Sequence, residues 1–206
     1  MDISLLLSFI AASALLTLMP GPDILFVLTE SVAKGSGSGI AVATGLVSGL
    51  LVHTTAVATG LSLLVKNSPS LFAAISYLGA AYLLWLALSA LKEQQPRVDD
   101  IQTQGAPFNF LRYYKTGFLM NVLNPKVAIF FLAFFPQFID PSATSPVLHI
   151  YFLGIIFMAQ AYLIFAGVAL LAGRTTQLLR TARFWNLLKW SKIVVLLLLA
   201  FLVAFR

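Results

Sequence analysis

The sequence predicts an all-α, polytopic membrane protein whose six transmembrane helices form a 3+3 inverted repeat. Of its 206 residues, 60% are hydrophobic and only 10% are charged, with a mean hydropathy of +0.94. A soluble domain needs far more charge on its surface. The apolar residues also form long runs that match the roughly 20 residues a helix needs to cross the bilayer. One long polar segment then divides these runs into two groups of three.

Hydropathy and turn residues set the bounds of the six spans. They are placed at Ser4 to Ser31, Ile40 to Val65, Leu71 to Leu91, Tyr114 to Phe138, Val147 to Ala172 and Phe184 to Phe205. The segments KGSGSG at 34–39 and KNSPS at 66–70 are interpreted as short flexible turns. The polar segment is a loop at 92–112, so a single transporter domain would contain repeats at 1–91 and 113–206. Three spans per repeat make the second repeat enter the membrane from the opposite side.

Lysine and arginine residues collect on one side of these spans. Ten of the 13 lie in or beside the first, third and fifth loops, and only Lys66 and Arg206 lie on the other side. The positive-inside rule predicts that the ten-cation side is cytoplasmic and that both termini are outside. The net charge of +6 is therefore attributed to topology and not to nucleic acid binding.

Proline motifs interrupt the first and fourth spans. A proline removes a helix hydrogen bond, and lipid offers the freed carbonyl no water, so each break must face protein or a wet cavity. Asp23 lies eleven residues before Lys34, and Lys126 lies eleven after Lys115. Both are thus about 16 Å from the cytoplasmic rim, so helices 1 and 4 are predicted to be broken near mid-membrane. Residues expected to offer groups to a ligand there are Pro20, Gly21, Pro22, Asp23, Asn121, Asn124, Pro125 and Lys126.

Asp23 and Lys126 are the central candidates for a substrate-binding and coupling site. A charge at the bilayer centre costs about 2.5 to 3.5 kcal/mol, so pairing, hydration or function must offset it. In a structural interpretation the two form an ion pair that locks the halves together. In the functional interpretation Asp23 accepts a substrate ammonium or a coupling proton, and Lys126 meets a carboxylate. Because two charged breaks lie at matching depth, the sequence favours the functional interpretation.

Four further polar residues are candidates for accessory roles. Glu30 is expected to pair with Lys34 at i+4, with a place in a vestibule as the alternative. His53 and Gln160 are expected to make hydrogen bonds between helices, with proton handling and cavity lining as their alternatives. Tyr82 is expected to pack or to lie at the interface, and exposure to a cavity is its alternative.

Other sequence features narrow the class of protein. There is no cysteine, so disulfides and thiolate metal sites are excluded. Phosphate-loop, zinc-protease and nucleophile-elbow motifs are also absent, so we expect no enzyme, no cofactor and no ATP motor in this chain. Ala41, Gly45 and Gly49 form a small-residue stripe that favours close helix packing, either within the monomer or in a homodimer.

Three long stretches resemble the LysE/RhtB amino acid exporters of bacteria, the family of lysine, homoserine-threonine and leucine efflux proteins. They are MPGPDILFVLTESVAKGSGSGIAVATGLVSGLLVH at 19–53, YLGAAYLLWLALSALK at 77–92 and GFLMNVLNPKVAIFFLAFFPQFI at 117–139. The resemblance implies export of amino acids or close derivatives through a bacterial inner membrane, with periplasmic termini. It also implies proton antiport with alternating access, and the P-G-P-D and N-P-K motifs are its most specific parts.

Two other functions stay open at this level. A divalent metal exporter of the same superfamily would need several converging oxygen ligands, whereas Asp23 is nearly alone and Lys126 would repel the ion. A non-transporting membrane scaffold would have little reason to keep paired charges in the bilayer. The expected partners are therefore a small amino acid, protons and membrane lipid. The sequence does not predict which amino acid is carried.

Overall fold

A computed structural model describes residues 3–61, 69–92, 108–139, 145–179 and 181–204, and the regular structure in these ranges is entirely helical. Most of the predicted 92–112 loop lies outside the described residues, as do Lys66 and Arg206. The helices are α1 Ile3–Leu18, α2 Pro22–Lys34, α3 Ser36–Ala56, α4 Pro69–Leu91, α5 Phe110–Val122, α6 Pro125–Ile129, α7 Pro146–Leu179 and α8 Ala182–Ala204. A π-helical turn, Val57–Leu61, follows α3, and a second, Phe130–Phe134, follows α6 and leads into a 3-10 turn at Phe135–Phe138.

The helices have the length and composition of a multi-pass membrane protein. Within the described ranges, three helices are long and apolar enough to cross a bilayer, and two bent pairs qualify as broken spans. The predicted span from Leu71 to Leu91 corresponds to α4. Its part Ser76–Leu91 is apolar but shorter than the other spans. The polytopic, all-α fold class is thus confirmed.

Both predicted helix breaks are present. The chain turns by 56° between α1 and α2, and by 48° between α5 and the segment Pro125–Phe138. Each bend coincides with a proline at the first position of the following helix, where the missing N–H costs nothing. The breaks therefore follow directly from the proline motifs.

The interpretation of KGSGSG as a flexible turn is wrong for most of its length. Only Gly35 is a connector, with a positive φ of 91° that favours glycine, and α3 begins at Ser36. Gly39 lies inside this helix, where a Cβ atom would clash with the Ser31 hydroxyl and stand 3.0 Å from the Val27 carbonyl oxygen. The buried Ser38 and Gly39 thus allow α2 and α3 to pack closely, which favours helix here despite the low intrinsic propensity of the segment.

The small-residue stripe on α3 packs within the monomer. A Cβ atom on Gly45 would overlap the Tyr114 carbonyl oxygen and approach the Phe118 amide nitrogen to 2.8 Å. Reciprocally, Gly117 of α5 lies against the Val42 carbonyl. The stripe is therefore covered by α5 of the same chain. Of the two arrangements that the sequence leaves open, packing within the monomer is the one observed, and the stripe gives no support for a homodimer.

Phenylalanine side chains fill the core beside the second break. Phe9 of α1 makes edge contacts with Phe135, Phe138 and Phe157, with ring centroids 5.2 to 6.3 Å apart. Phe131 stacks on Phe135 at 4.9 Å and on Phe157 at 5.6 Å. Such contacts add to area burial, so this cluster fixes α1, α7 and the chain after α6 around the site.

Candidate functional site

The two helix breaks meet inside the protein and bring their charged residues together. Asp23 lies in the first turn of α2, and Lys126 lies in the first turn of α6. The Lys126 ammonium nitrogen is 3.3 Å from Asp23 Oδ2. The carboxylate is well placed near the positive end of the α2 dipole. The pairing expected from the sequence is thus present.

Asn124 connects the two breaks through both ends of its amide. Its Nδ2 donates to both carboxylate oxygens of Asp23, at 2.7 Å and 2.8 Å. Its Oδ1 accepts from the Lys126 backbone N–H at 3.0 Å and so caps α6. An asparagine is the side chain that can do both, because an aspartate would repel Asp23 and an alanine would leave both sides unbonded.

The charge pair is buried rather than solvated. Asp23 is 5% exposed and Lys126 is 8% exposed. The ammonium lies against the first break, since a Cβ atom on Gly21 would stand 3.3 Å from Lys126 Nζ. A glycine at 21 therefore leaves room for the cation beside the backbone. Buried charges of this kind persist only when each is partnered.

A cavity of about 20 Å³, enough for a single water molecule, lies beside the pair. Its polar lining consists of Asp23, Lys126, Asn121 and Thr17. The rest of its lining is apolar and comes from α1, α3, α7 and the start of α6: Leu16, Leu50, Val127, Phe157, Ala161 and Phe165. The site thus combines two opposite charges with a hydrocarbon wall.

Asn121 lines this cavity and carries a buried side-chain oxygen. The residue is 3% exposed, and among the described residues its Oδ1 has no hydrogen-bond partner. Gly49 of α3 lies directly behind it, because a Cβ atom there would stand 2.8 Å from both Asn121 Cβ and Oδ1. Burying an acceptor without a hydrogen-bond partner costs free energy. A ligand that donates a hydrogen bond to Asn121 is therefore favoured.

His53 adds a side-chain hydrogen bond at the second break. Pro125 has no N–H to donate to the carbonyl of Asn121, four residues before it, and that carbonyl accepts the Asn124 N–H at 3.0 Å instead. His53 Nε2 lies 3.1 Å from that carbonyl oxygen and must be the donor, since a carbonyl only accepts. Its ring also stacks on Phe131 at 5.5 Å. The hydrogen bond between helices that the sequence favours for His53 is therefore present.

Two of the accessory candidates lie apart from the cavity. Glu30 Oε2 is 2.9 Å from Lys34 Nζ, the i to i+4 pair that the sequence favours. Tyr82 packs against the Trp85 ring at 5.5 Å on α4, and neither residue lines the cavity beside Asp23. Within the described ranges, no group of three His, Cys, Asp or Glu side chains is arranged to hold a metal ion.

Gln160 joins α7 to α1. With its amide nitrogen turned toward acceptors, it donates to the Ile10 carbonyl at 2.9 Å and to Ser13 Oγ at 3.2 Å, and its oxygen accepts from the Ala14 N–H at 2.8 Å. The side chain thus makes hydrogen bonds to backbone groups of α1. This is the contact between helices that the sequence favours for Gln160.

We expect Gln160→Leu to lower the free energy of unfolding by about 1 kcal/mol, because a hydrogen bond between membrane helices contributes roughly that much. Transport by the folded variant should stay within a few-fold of the wild type. Thermal unfolding in lipid nanodiscs and efflux from proteoliposomes measure the two effects separately. A stable Gln160→Leu protein without transport would place Gln160 in the substrate path instead.

Sequence reasoning missed the part of the lining that comes from α7 and from the end of α1. Thr17, Phe157 and Phe165 are ordinary residues of apolar helices in the sequence, and Ala161 is one of many alanines. The spacing of 157, 161 and 165 does indicate one helix face. It does not indicate which helix that face meets, because the contact comes from parts of the chain more than 100 residues apart.

Comparisons with known proteins give a consistent result. The family model described as LysE type translocator matches residues 14–206. A leucine efflux protein of Enterobacter sp. is 34% identical over 166 residues, 78% of each chain, and one of Klebsiella pneumoniae is 32% identical over 169 residues, also 78% of each. An uncharacterized membrane protein of Pseudomonas aeruginosa is 33% identical over 80% of each chain. No solved structure matches this chain.

Proposed function

Since this chain belongs to the LysE type translocator family, we propose that it exports amino acids. In this proposal Asp23, Asn121 and Lys126 bind the charged groups of the substrate, and Asn124 positions Asp23. The observation that carries the proposal is the buried pair of Asp23 and Lys126, 3.3 Å apart at the meeting point of two broken helices. Leucine is the first substrate to test, because relatives 34% and 32% identical are named leucine efflux proteins.

The chemistry of the pair suits a zwitterion. A free amino acid carries one ammonium and one carboxylate, the same two kinds of charge that compensate each other in the pair of Asp23 and Lys126. The substrate carboxylate would take the place of Asp23 on Lys126, and its ammonium would bind Asp23 and the unpartnered Asn121 Oδ1. This exchange leaves no buried charge without a partner while the substrate is bound. Asn124 holds the Asp23 carboxylate in place through both of its oxygens.

Transport requires the site to open alternately to the two sides of the membrane. We assign this movement to repeats 1–91 and 113–206, rocking around the breaks at Pro20, Pro22 and Pro125. Asp23 would couple export to protons by accepting a proton when the substrate leaves. The ten-cation side faces the cytoplasm of a bacterial cell in this proposal, which puts the protein in the inner membrane with periplasmic termini.

A divalent cation fits the site less well than an amino acid does. The Lys126 ammonium is the nearest charged neighbour of the Asp23 carboxylate, and it would repel the ion. A scaffold that only holds other proteins would gain nothing from a cavity lined by opposite charges and an unpartnered acceptor. The arrangement of the site therefore favours translocation of a zwitterion.

Efflux from proteoliposomes tests the proposed function. Vesicles holding the purified protein would be loaded with labelled leucine, alanine, phenylalanine, lysine or Mn²⁺, and a pH gradient would be imposed. We expect amino acid efflux that depends on the protein and accelerates with the gradient, and Mn²⁺ retention equal to that of empty vesicles. Efflux of Mn²⁺ without efflux of any amino acid would contradict the proposal.

A further inference from the structure

One face of α7 forms the apolar wall opposite the charge pair. Phe157, Ala161 and Phe165 follow each other at intervals of four residues, so they lie on a single helix face. They are 2%, 1% and 5% exposed, and all three line the cavity that also contains Asp23 and Lys126. A substrate held by its charged groups at the pair would therefore direct its side chain at this face.

We propose that the α7 face of Phe157, Ala161 and Phe165 receives the substrate side chain, restricts it to uncharged aliphatic groups, and sets their size at Ala161. This inference rests on the proposed function, since it concerns the selectivity of the same site. It identifies residues for which neither the sequence motifs nor the charge pair gives a role.

The charges around the cavity account for the exclusion of polar side chains. Among the described residues that line it, Asp23 and Lys126 alone are charged. In the proposed complex both are already paired with the α-ammonium and the α-carboxylate of the substrate. The α7 face is hydrocarbon, and Leu50 and Val127 continue the apolar lining from α3 and α6. The ammonium of a lysine side chain would lose its water there and gain no partner. A leucine or valine side chain has no polar group and therefore loses no hydrogen bonds to water when it enters the cavity.

Ala161 is the position where the wall can accommodate a side chain. Phe157 is held by ring contacts to Phe9, Phe130 and Phe131 at 5.5 to 6.3 Å, so it cannot retreat without disturbing the aromatic core. Ala161 lies one turn further along and is the smallest residue of the lining. The cavity of about 20 Å³ is too small for a leucine side chain, so its lining must widen when substrate binds, and the residue at 161 then sets the depth that is left.

Efflux ratios of the Ala161 variants test this inference. Vesicles would hold equal concentrations of labelled leucine, alanine, phenylalanine and lysine. We expect Ala161→Leu to lower leucine efflux relative to alanine efflux at least about tenfold, because even one methylene in such a pocket changes selectivity by about that factor. Ala161→Gly should raise phenylalanine efflux relative to leucine efflux by about tenfold for the same reason.

Ala169→Leu is the matched control. Ala169 lies on the same face of α7, is 1% exposed, and does not line the cavity. The same substitution there should lower total efflux or stability and leave the ratios unchanged. Unchanged ratios in Ala161→Gly and Ala161→Leu, or lysine efflux as fast as leucine efflux in the wild type, would overturn the inference. If Ala161→Leu does not fold, the ratio in Ala161→Gly decides. A wild-type protein that exports none of these amino acids would instead refute the proposed function.

Discussion

Asp23→Asn is expected to lower amino acid efflux about 30-fold or more. The variant keeps the size of the side chain and an acceptor for Asn124, and it removes the charge that faces Lys126 at 3.3 Å. Losing one member of a buried charge pair costs about 2 to 5 kcal/mol, which is at least about 30-fold in a binding constant. Initial efflux rates from proteoliposomes measure the effect.

Glu30→Gln is the matched control for this prediction. It removes an acid from the same helix, seven residues further on, where Glu30 pairs with Lys34 outside the cavity. Its efflux rate should stay within about twofold of the wild type, since a partly exposed pair contributes under about 1 kcal/mol. Equal losses in the two variants would indicate that any acid on α2 matters, and the assignment of Asp23 to the site would fail.

The double variant Asp23→Asn with Lys126→Met separates binding from a structural lock. A single substitution leaves a buried charge without its partner, which destabilises by about 3 to 5 kcal/mol, whereas removing both charges is often neutral. We expect the double variant to unfold near the wild-type temperature and still to lack transport. Wild-type efflux from the double variant would mean that the pair only holds the two halves together.

Gly45→Ala is expected to lower the stability of the protein by overpacking the contact between α3 and α5. The new Cβ atom would meet the Tyr114 carbonyl and lie 2.8 Å from the Phe118 nitrogen, and both are backbone atoms that cannot rotate away. Helix α5 must therefore shift as a whole. Overpacking costs about 1 to 3 kcal/mol and sometimes more, and the upper value corresponds to a fall in Tm of roughly 6 to 12 °C. Thermal unfolding in nanodiscs measures it.

Gly167→Ala provides the comparison for this effect. Gly167 is also a helical glycine, in α7, and apart from its own stretch of helix no atom of the described residues lies within 4 Å of the position that its Cβ would take. Alanine there should leave Tm unchanged or raise it slightly, because it favours the helix. A fall in Tm of the same size in both variants would show that helical glycines are needed for another reason than the close approach of α3 and α5.

Much of the fold follows from the sequence because its signals are local. Each helix break comes from a proline and its missing N–H, so the motifs around Pro22 and Pro125 are enough to predict both bends. The charge of Asp23 at such a break requires a partner, and Lys126 is the one cation left over by the topology. The sequence therefore predicts that they meet, and their separation of 3.3 Å agrees.

The rest of the site depends on contacts that no local pattern contains. The sequence places Asn124 beside the second break, but its bridge to Asp23 joins residues 101 positions apart. The sequence gives no sign that His53 donates to the Asn121 carbonyl beside the second break. KGSGSG has the composition of a turn, yet α3 begins at Ser36 and Gly39 is a packing residue of that helix. The composition of a segment indicates its intrinsic propensity for helix or turn, and tertiary packing overrides that propensity here.

Equilibrium binding to the purified protein in lipid nanodiscs tests the central claim most directly. The ligands would be leucine, 3-methylbutylamine, which lacks the carboxylate, and 4-methylpentanoate, which lacks the ammonium. If the buried pair binds both charged groups, the wild type should bind leucine saturably and each analogue about 30-fold more weakly or worse, and the Asp23→Asn with Lys126→Met double variant should bind none of them. Leucine binding unchanged in the double variant, or an analogue bound as tightly as leucine, would contradict the account.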